Sequence, residues 1–205
     1  MPPPVFPAQP FPAQPSPTEP ARRAFSLRQA RTVQRLADAA VEELRTSGYD
    51  GLTVRNVARR AGMAPATAYT YFTSKDHLVT EVFWRRFHSS PEAGVDKRCG
   101  AATRVSAVLS QFALLVADEP DVASACTVAM LSGDPEVTLL RARIGAELHR
   151  RLGVALGPKA DPGVLRTLEL AMWGAMVQAG VGHLAYTDLP AMLEEVAHTV
   201  LRRKR

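Results

Sequence analysis

The residues able to do chemistry in this 205-residue chain form neither a metal set nor a catalytic group. His77, His88, His149, His183 and His198 show no HExxH or other ligand spacing, and Cys99 and Cys126 lie far apart with no CxxC or histidine pattern beside them. GxSxG and a phosphate-binding loop are missing from the sequence, and the acidic, Pro-containing DEPD (118–121) reads as a helix break. The expectation is therefore no catalytic residue, no metal and no cofactor. Both cysteines read as reduced thiols, with a disulfide or metal role as the alternative. What remains is recognition chemistry, and it concentrates in APATAYTYFTSKDHL (64–78). Three rings, Tyr69, Tyr71 and Phe72, fall in four positions, and no charge appears until Lys75. Thr67, Thr70, Tyr69 and Tyr71 offer hydroxyls that both donate and accept, on a backbone kept slim by Pro65, Ala66 and Ala68.

That bare stretch sits in the most basic part of a basic chain, whose net charge is +5. Residues 21–89 carry twelve basic and six acidic side chains, so all of the excess positive charge belongs to this first part. A localised excess points to an anionic partner there. An apolar fraction of 46% with 22% charged residues fits a globular protein. No apolar run nears the roughly 18–20 residues needed to span a bilayer. MPPPVFPAQP has neither a charged leader nor a continuous apolar core, so a cytoplasmic protein without a membrane partner is expected.

The positioning elements are helices throughout. Residues 1–20 hold nine of the sixteen prolines and repeat FPAQP at 6–10 and 11–15, which predicts a polyproline-II or disordered tail. From Ser26 the pattern turns helical: Val33, Leu36, Ala37, Ala40, Val41 and Leu44 make one apolar stripe, ended by SGYDG (47–51). Thr53 is suited to cap a short helix whose inner face is Val54, Val57, Ala58 and Ala61, with Gly62 stopping it. Pro65 suits the first turn of a third helix running to about Phe72. Ser74 caps a fourth, with Leu78, Val82, Phe83 and Phe87 inward. Longer helices are predicted near 99–117, 120–132, 135–156, 162–186 and 189–202. No strand is expected, and the fold class is all-α.

Two short helices joined at Ala61-Gly62 inside a basic segment have the form of a helix-turn-helix. On a helix starting at Pro65, Ala68 and Phe72 face inward, while Pro65, Ala66, Tyr69 and Thr70 face outward with Thr67 and Tyr71 at the flanks. From spacing alone, a small helical bundle whose tyrosines merely pack is the competing reading. The run LTVRNVARRAGMAPATAYTYFTSKDHL (52–78) resembles the DNA-binding signature of the tetracycline-repressor (TetR) family of transcriptional regulators. The likeness lies in a Thr-capped helix, an apolar-Ala pair, a Gly turn, an aromatic pair ending in Phe, and a polar pair, Lys and Leu opening the next helix. It covers about 50 residues. Ala64 departs from it, since the family often has a capping Ser there, a change of roughly 1 kcal/mol in helix stability that Pro65 partly offsets.

The resemblance implies a role for each matching position. Thr53 is similar to a phosphate-contacting cap. Arg55 stands where some members place an arginine that reads a guanine edge, a phosphate-bound or solvated arginine being the alternative. Pro65, Ala66, Thr67 and Thr70 match groove-facing residues, and Tyr69, Tyr71 and Lys75 match phosphate anchors. Arg22, Arg23, Arg28 and Arg31 would form an arm or helix face on the DNA backbone or minor groove, or else a solvated arm.

The implied organisation is a tail at 1–20, an N-terminal three-helix helix-turn-helix domain at 21–74, and a C-terminal helical ligand-binding and dimerisation domain at 75–205. The helix over 164–186 is apolar nearly all round, with a small-residue seam at Ala171, Ala175, Ala179 and Gly182. In the family the last two helices pair with their copies, which would give a homodimer with recognition helices about 34–36 Å apart on a near-palindromic, double-stranded DNA operator. Phe112, Val116, Thr127, Met130, Leu131, Trp173, Met176 and Val177 are the inward positions that would line an effector cavity, although such positions also make ordinary core. A cavity so lined suits a hydrophobic small molecule. The expected function is a ligand-responsive repressor and not an enzyme. The alternatives are an architectural or constitutive DNA-binding protein without effector and, last, an all-α enzyme.

Overall fold

Capping and periodicity dictate most of the architecture. The computed structural model describes residues 19–202, with side chains from Leu27 onward. The Pro-rich segment up to residue 18 and the side chains of Arg22 and Arg23 lie outside that description. Helix α1 spans Glu19–Gly51, with the chain turning at Gly48, where φ is 65°. The turn expected from SGYDG is therefore made at Gly48, a left-handed conformation that glycine adopts without strain. The helix starts seven residues ahead of Ser26, with Pro20 in its first turn, where the missing N–H costs nothing.

The chain divides into two compact units, Met1–Gln34 and Arg35–Arg205. In the described part of the first, Arg28 and Arg31 are exposed, and Thr32 Oγ1 donates to the Arg28 carbonyl at 3.0 Å. The second unit contains the rest of α1 and helices α2 (Val54–Arg60), α3 (Pro65–Tyr69), α4 (Lys75–Ser89), α5 (Ala101–Leu114), α6 (Pro120–Met130), α7 (Pro135–Leu156), α8 (Pro162–Gly180) and α9 (Leu189–Arg202), with a 3-10 turn at Tyr186–Asp188. Among the described residues there is no strand, so the all-α reading holds.

Within this unit α5 packs along α9, α4 crosses α6 and α7, and α6 and α9 lie against α8. Phe112 is the hub, its ring 5.1 Å from Phe83, 4.9 Å from Phe87 and 5.9 Å from Trp173. Edge-to-face packing of this kind adds to what burial alone contributes. Arg151 is buried at 3% exposure and fully bonded. It donates to Glu147 Oε1 (2.8 Å), the Phe87 carbonyl (2.9 Å), Ser90 Oγ (3.0 Å) and Gln111 Oε1 (3.2 Å). Hydrogen bonds from Arg150, then Arg151, hold the Glu147 carboxyl at about 2, far below its ordinary range, against the opposing effect of burial.

The helix predicted over 162–186 ends earlier. Gly182, at φ 80°, terminates α8: its N–H reaches Ala179 O at 3.0 Å and the next N–H reaches Gln178 O at 2.9 Å. This paired closure absorbs the last carbonyls of the helix. The predicted small-residue seam is consequently split. Ala179 is buried, Ala171 and Ala175 are half-buried, and Gly182 lies past the helix end. On α8 the exposed positions include Leu170, Gly174 and Val177, and Val181 just past its end is exposed too. The helix predicted over 99–117 is shortened at both ends to Ala101–Leu114.

Candidate nucleic-acid interface and effector cleft

The helix-turn-helix is built by local bonds that its sequence makes available. Thr53 Oγ1 accepts the Asn56 amide at 3.1 Å and opens α2. Gly62, at φ 66°, closes it: Gly62 N–H donates to Arg59 O at 3.1 Å and Met63 N–H to Ala58 O at 2.9 Å. Arg35 Nη2 from α1 fixes the same turn by donating to Ala61 O at 2.7 Å. Ala64 makes no side-chain cap, as its methyl requires, and Pro65 opens α3. Ala68 and Phe72 are anchored in the core at 0% and 2% exposure. Because they are anchored, the rest of the segment must turn outward.

Thr53, Arg55, Pro65, Ala66, Thr67, Tyr69 and Thr70 are all exposed, Tyr69 by 52%, and Tyr71 is half-buried at the edge. Arg55 has no carboxylate partner among the described residues, whereas Arg59 bonds Asn56 Oδ1 at 3.1 Å and Arg60 pairs with Glu43 at 2.7 Å. Thr70 Oγ1 donates to Ala66 O at 3.0 Å, which turns its lone pairs and methyl outward. Lys75 is placed differently from a free anchor. It is half-buried, donates to Tyr49 O at 3.0 Å and lies 4.0 Å from the Tyr49 ring centroid. The Tyr49 hydroxyl in turn bonds Asp76, and burial with that carboxylate raises the phenol's pKa. Lys75 thus joins α4 to the end of α1.

Of the eight predicted effector residues, the structure brings six together. Thr127, Met130 and Leu131 from α6 and its end, and Trp173, Met176 and Val177 from α8, line a small cleft of about 50 Å³. Phe112 and Val116 do not line it. They are fully buried, Phe112 behind Trp173 in the aromatic core. Sequence reasoning missed the seventh lining residue, Arg141 of α7. The signal was present, since an arginine at 141 is in phase with Val137, Leu140, Ile144 and Leu148 on the inward face of its helix. The cleft floor is tight. Thr127 Oγ1 donates to Ala123 O at 3.1 Å and accepts from the Tyr186 hydroxyl at 2.7 Å, and a methyl added at Gly180 would lie 2.3 Å from Thr127 Cγ2.

The segments before and after α6 are both tied to neighbouring helices. Ahead of it, Glu119 accepts Arg45 of α1 at 2.6 Å and Arg86 of α4 at 2.8 Å. Burial opposes ionisation of Glu119, but the bonds from Arg86 and Arg45 win and lower its pKa. After it, Ser74 Oγ donates to Asp134 Oδ2 at 2.5 Å while accepting the His77 amide at 3.0 Å. One hydroxyl therefore caps α4 and grips the residue that caps α7 through the Glu136 amide at 2.8 Å. The Ser74 bond, above all, lowers the pKa of Asp134.

No helix of the described residues is long and apolar enough to cross a membrane. Comparison with known proteins agrees with the geometry. Residues 36–82 match the family model described as bacterial regulatory proteins, tetR family. An uncharacterised HTH-type transcriptional regulator of Mycobacterium tuberculosis is 47% identical over 176 residues, 85% of this chain and 82% of that protein. A TetR transcriptional regulator from Rhodococcus sp. RHA1 shares the fold with a TM-score of 0.68 at 20% identity, covering 87% of this chain and 99% of that one. The transcriptional regulator FadR from Bacillus subtilis, solved in complex with stearoyl-CoA, gives 0.58 at 19% identity over 80% and 96%. Identity of 47% with the Mycobacterium tuberculosis regulator across most of both chains, joined to the match of residues 36–82 and a helix-turn-helix formed as above, means that this chain belongs to the tetR family of bacterial transcriptional regulators, which bind DNA through that motif.

Proposed function

We propose that the protein is a homodimeric repressor that holds a near-palindromic operator and is released from it by a lipophilic small molecule. The observation that carries this reading is the position of the cleft: its α6 wall is tied at one end to α1 and α4 through Glu119 and at the other to the α4 cap through Asp134. A ligand wedged between α6 and α8 would displace α6 and strain both ties. Bound ligand then favours the conformation with displaced α4, and the separation of two recognition helices changes.

In this reading residues 21–74 bind DNA and 75–205 bind effector and pair copies. Pro65, Ala66, Thr67 and Thr70 approach base edges; Thr53, Tyr69 and Tyr71 contact phosphates; Arg55 reads a guanine edge. Lys75 supports the phosphate contacts mainly by holding α4 against Tyr49. The exposed Leu170 of α8 and Val181 just past its end support pairing of two copies, because apolar side chains gathered on one face are costly to leave in water. The stearoyl-CoA in the FadR structure supports a lipophilic effector class.

The test is selection of bound duplexes from a random pool, followed by a shift assay at fixed salt. A two-fold site bound far more tightly than its scrambled sequence, by a two-chain complex that a lipophile dissociates, is the expected outcome. Equal affinity for scrambled DNA would overturn operator recognition, and a complex indifferent to every lipophile would make the protein a constitutive DNA binder.

A further inference from the structure

Arg141 is the charged residue among those lining the cleft. The side chain is half-buried at the edge of walls made by Met130, Leu131, Trp173, Met176 and Val177. Its Nη1 donates to Met130 O at 2.6 Å and Ser132 O at 3.3 Å, and its Nη2 to Thr138 Oγ1 at 3.3 Å. These partners are neutral. Among the described residues no carboxylate pairs with Arg141, and Asp134, the acid of the adjoining turn, is engaged by Ser74 and the Glu136 amide. A guanidinium has five N–H donors. Three are used here, leaving Nε–H and a second N–H on Nη2. A planar guanidinium presents donors in pairs spaced to match the two oxygens of a carboxylate.

We propose, building on the effector reading, that the cleft receives an aliphatic monocarboxylate, its carboxylate on Arg141 and its chain against Trp173, Met130 and Met176. An alcohol or hydrocarbon of equal length would satisfy the walls and leave the half-buried cation without a counter-charge. A cavity of about 50 Å³ takes little more than the first carbons of such a chain, since each methylene fills roughly as much space as a water molecule. The remainder lies over Leu131 and Val177, which are 62% and 37% exposed. Arg141 also gives the ligand a route to DNA. A carboxylate on Nε–H and Nη2 sits beside the Nη1 bonds to Met130 O and Ser132 O, in the turn whose Asp134 holds Ser74.

Binding of sodium decanoate and of decanol to the full chain, read by Trp173 fluorescence in a Trp84→Phe background, tests the assignment. Decanoate is expected to bind at least about tenfold more tightly than decanol, a gap that Arg141→Gln abolishes and Arg141→Lys keeps in part. Circular dichroism of each variant confirms its helix content. Equal affinities in the parent, or a gap that survives Arg141→Gln, would overturn the carboxylate assignment while the lipophilic effector stands. Failure of both ligands to bind would overturn both readings, with operator binding scored separately.

Discussion

Gly180→Ala probes the contact on which the cleft rests. The new Cβ would sit 2.3 Å from Thr127 Cγ2, 2.7 Å from its Cβ and 3.0 Å from its Oγ1. Carbon atoms pack at about 3.5–4.0 Å, so α6 and α8 must separate locally by more than about 1 Å. No rotamer of Thr127 removes the clash, because its Cβ is itself too close and its hydroxyl is bonded to Ala123 O and Tyr186. Overpacking of this kind costs about 1–3 kcal/mol. Better helix propensity at position 180 returns at most about 1 kcal/mol, and less at the last residue of a helix. The net expectation is a loss of about 1–2 kcal/mol, read as a lowered urea midpoint at fixed protein concentration with unchanged slope. Thr127→Ser in the same chain removes the nearest carbon and should recover about 0.5–1 kcal/mol beyond additivity. A variant as stable as the parent, or a double variant that is simply additive, would refute the close approach of the two helices.

Three further outcomes follow from the same geometry. Tyr69→Phe should weaken operator binding by about tenfold per subunit, the loss of one hydrogen bond to a charged oxygen, and leave the urea midpoint alone because the ring is half exposed. An unchanged affinity in a titration at fixed salt would remove Tyr69 from the interface. Gly62→Ala should cost about 1–2 kcal/mol by urea unfolding, since φ is 66° there and only Arg35 Nη2, at 3.7 Å, lies near the new carbon. As for pH, the Glu147 carboxyl sits at about 2 when folded and nearer its ordinary 4.5 when unfolded. Its contribution is therefore complete above about pH 5 and is lost as the pH falls from there towards 2. Glu147→Gln should flatten the urea midpoint across that window, and a profile as steep as the parent's would contradict the assignment.

The local devices of the fold were legible in the sequence. Thr53 and Ser74 as caps, Gly62 as a stop, Pro65 as an opener, and the inward phase of Ala68 and Phe72 all depend on neighbours within about five residues. Physics at that range is set by backbone geometry and a single side chain, so the order of residues is enough. Periodicity also marked Thr127, Met130 and Met176 as inward positions of α6 and α8, and they are buried.

What the tertiary structure decided is which side chains from distant segments meet. Lys75 has the spacing of a phosphate anchor, yet the fold brings Tyr49 beneath it and makes it a bridge. Phe112 and Val116 have the same inward phase as the cleft residues but lie in the core, since phase gives direction along a helix and not depth. Arg141 and Arg151 both fall on the inward face of α7, one at an apolar cleft without a carboxylate and the other sealed among five partners. Glu147, one turn before Arg151, gives it a local carboxylate that Arg141 lacks, but nothing within a turn sets how deeply either arginine is buried. Burial is a property of the assembled space around a residue, so that difference is decided only when α4, α6 and α8 close around α7.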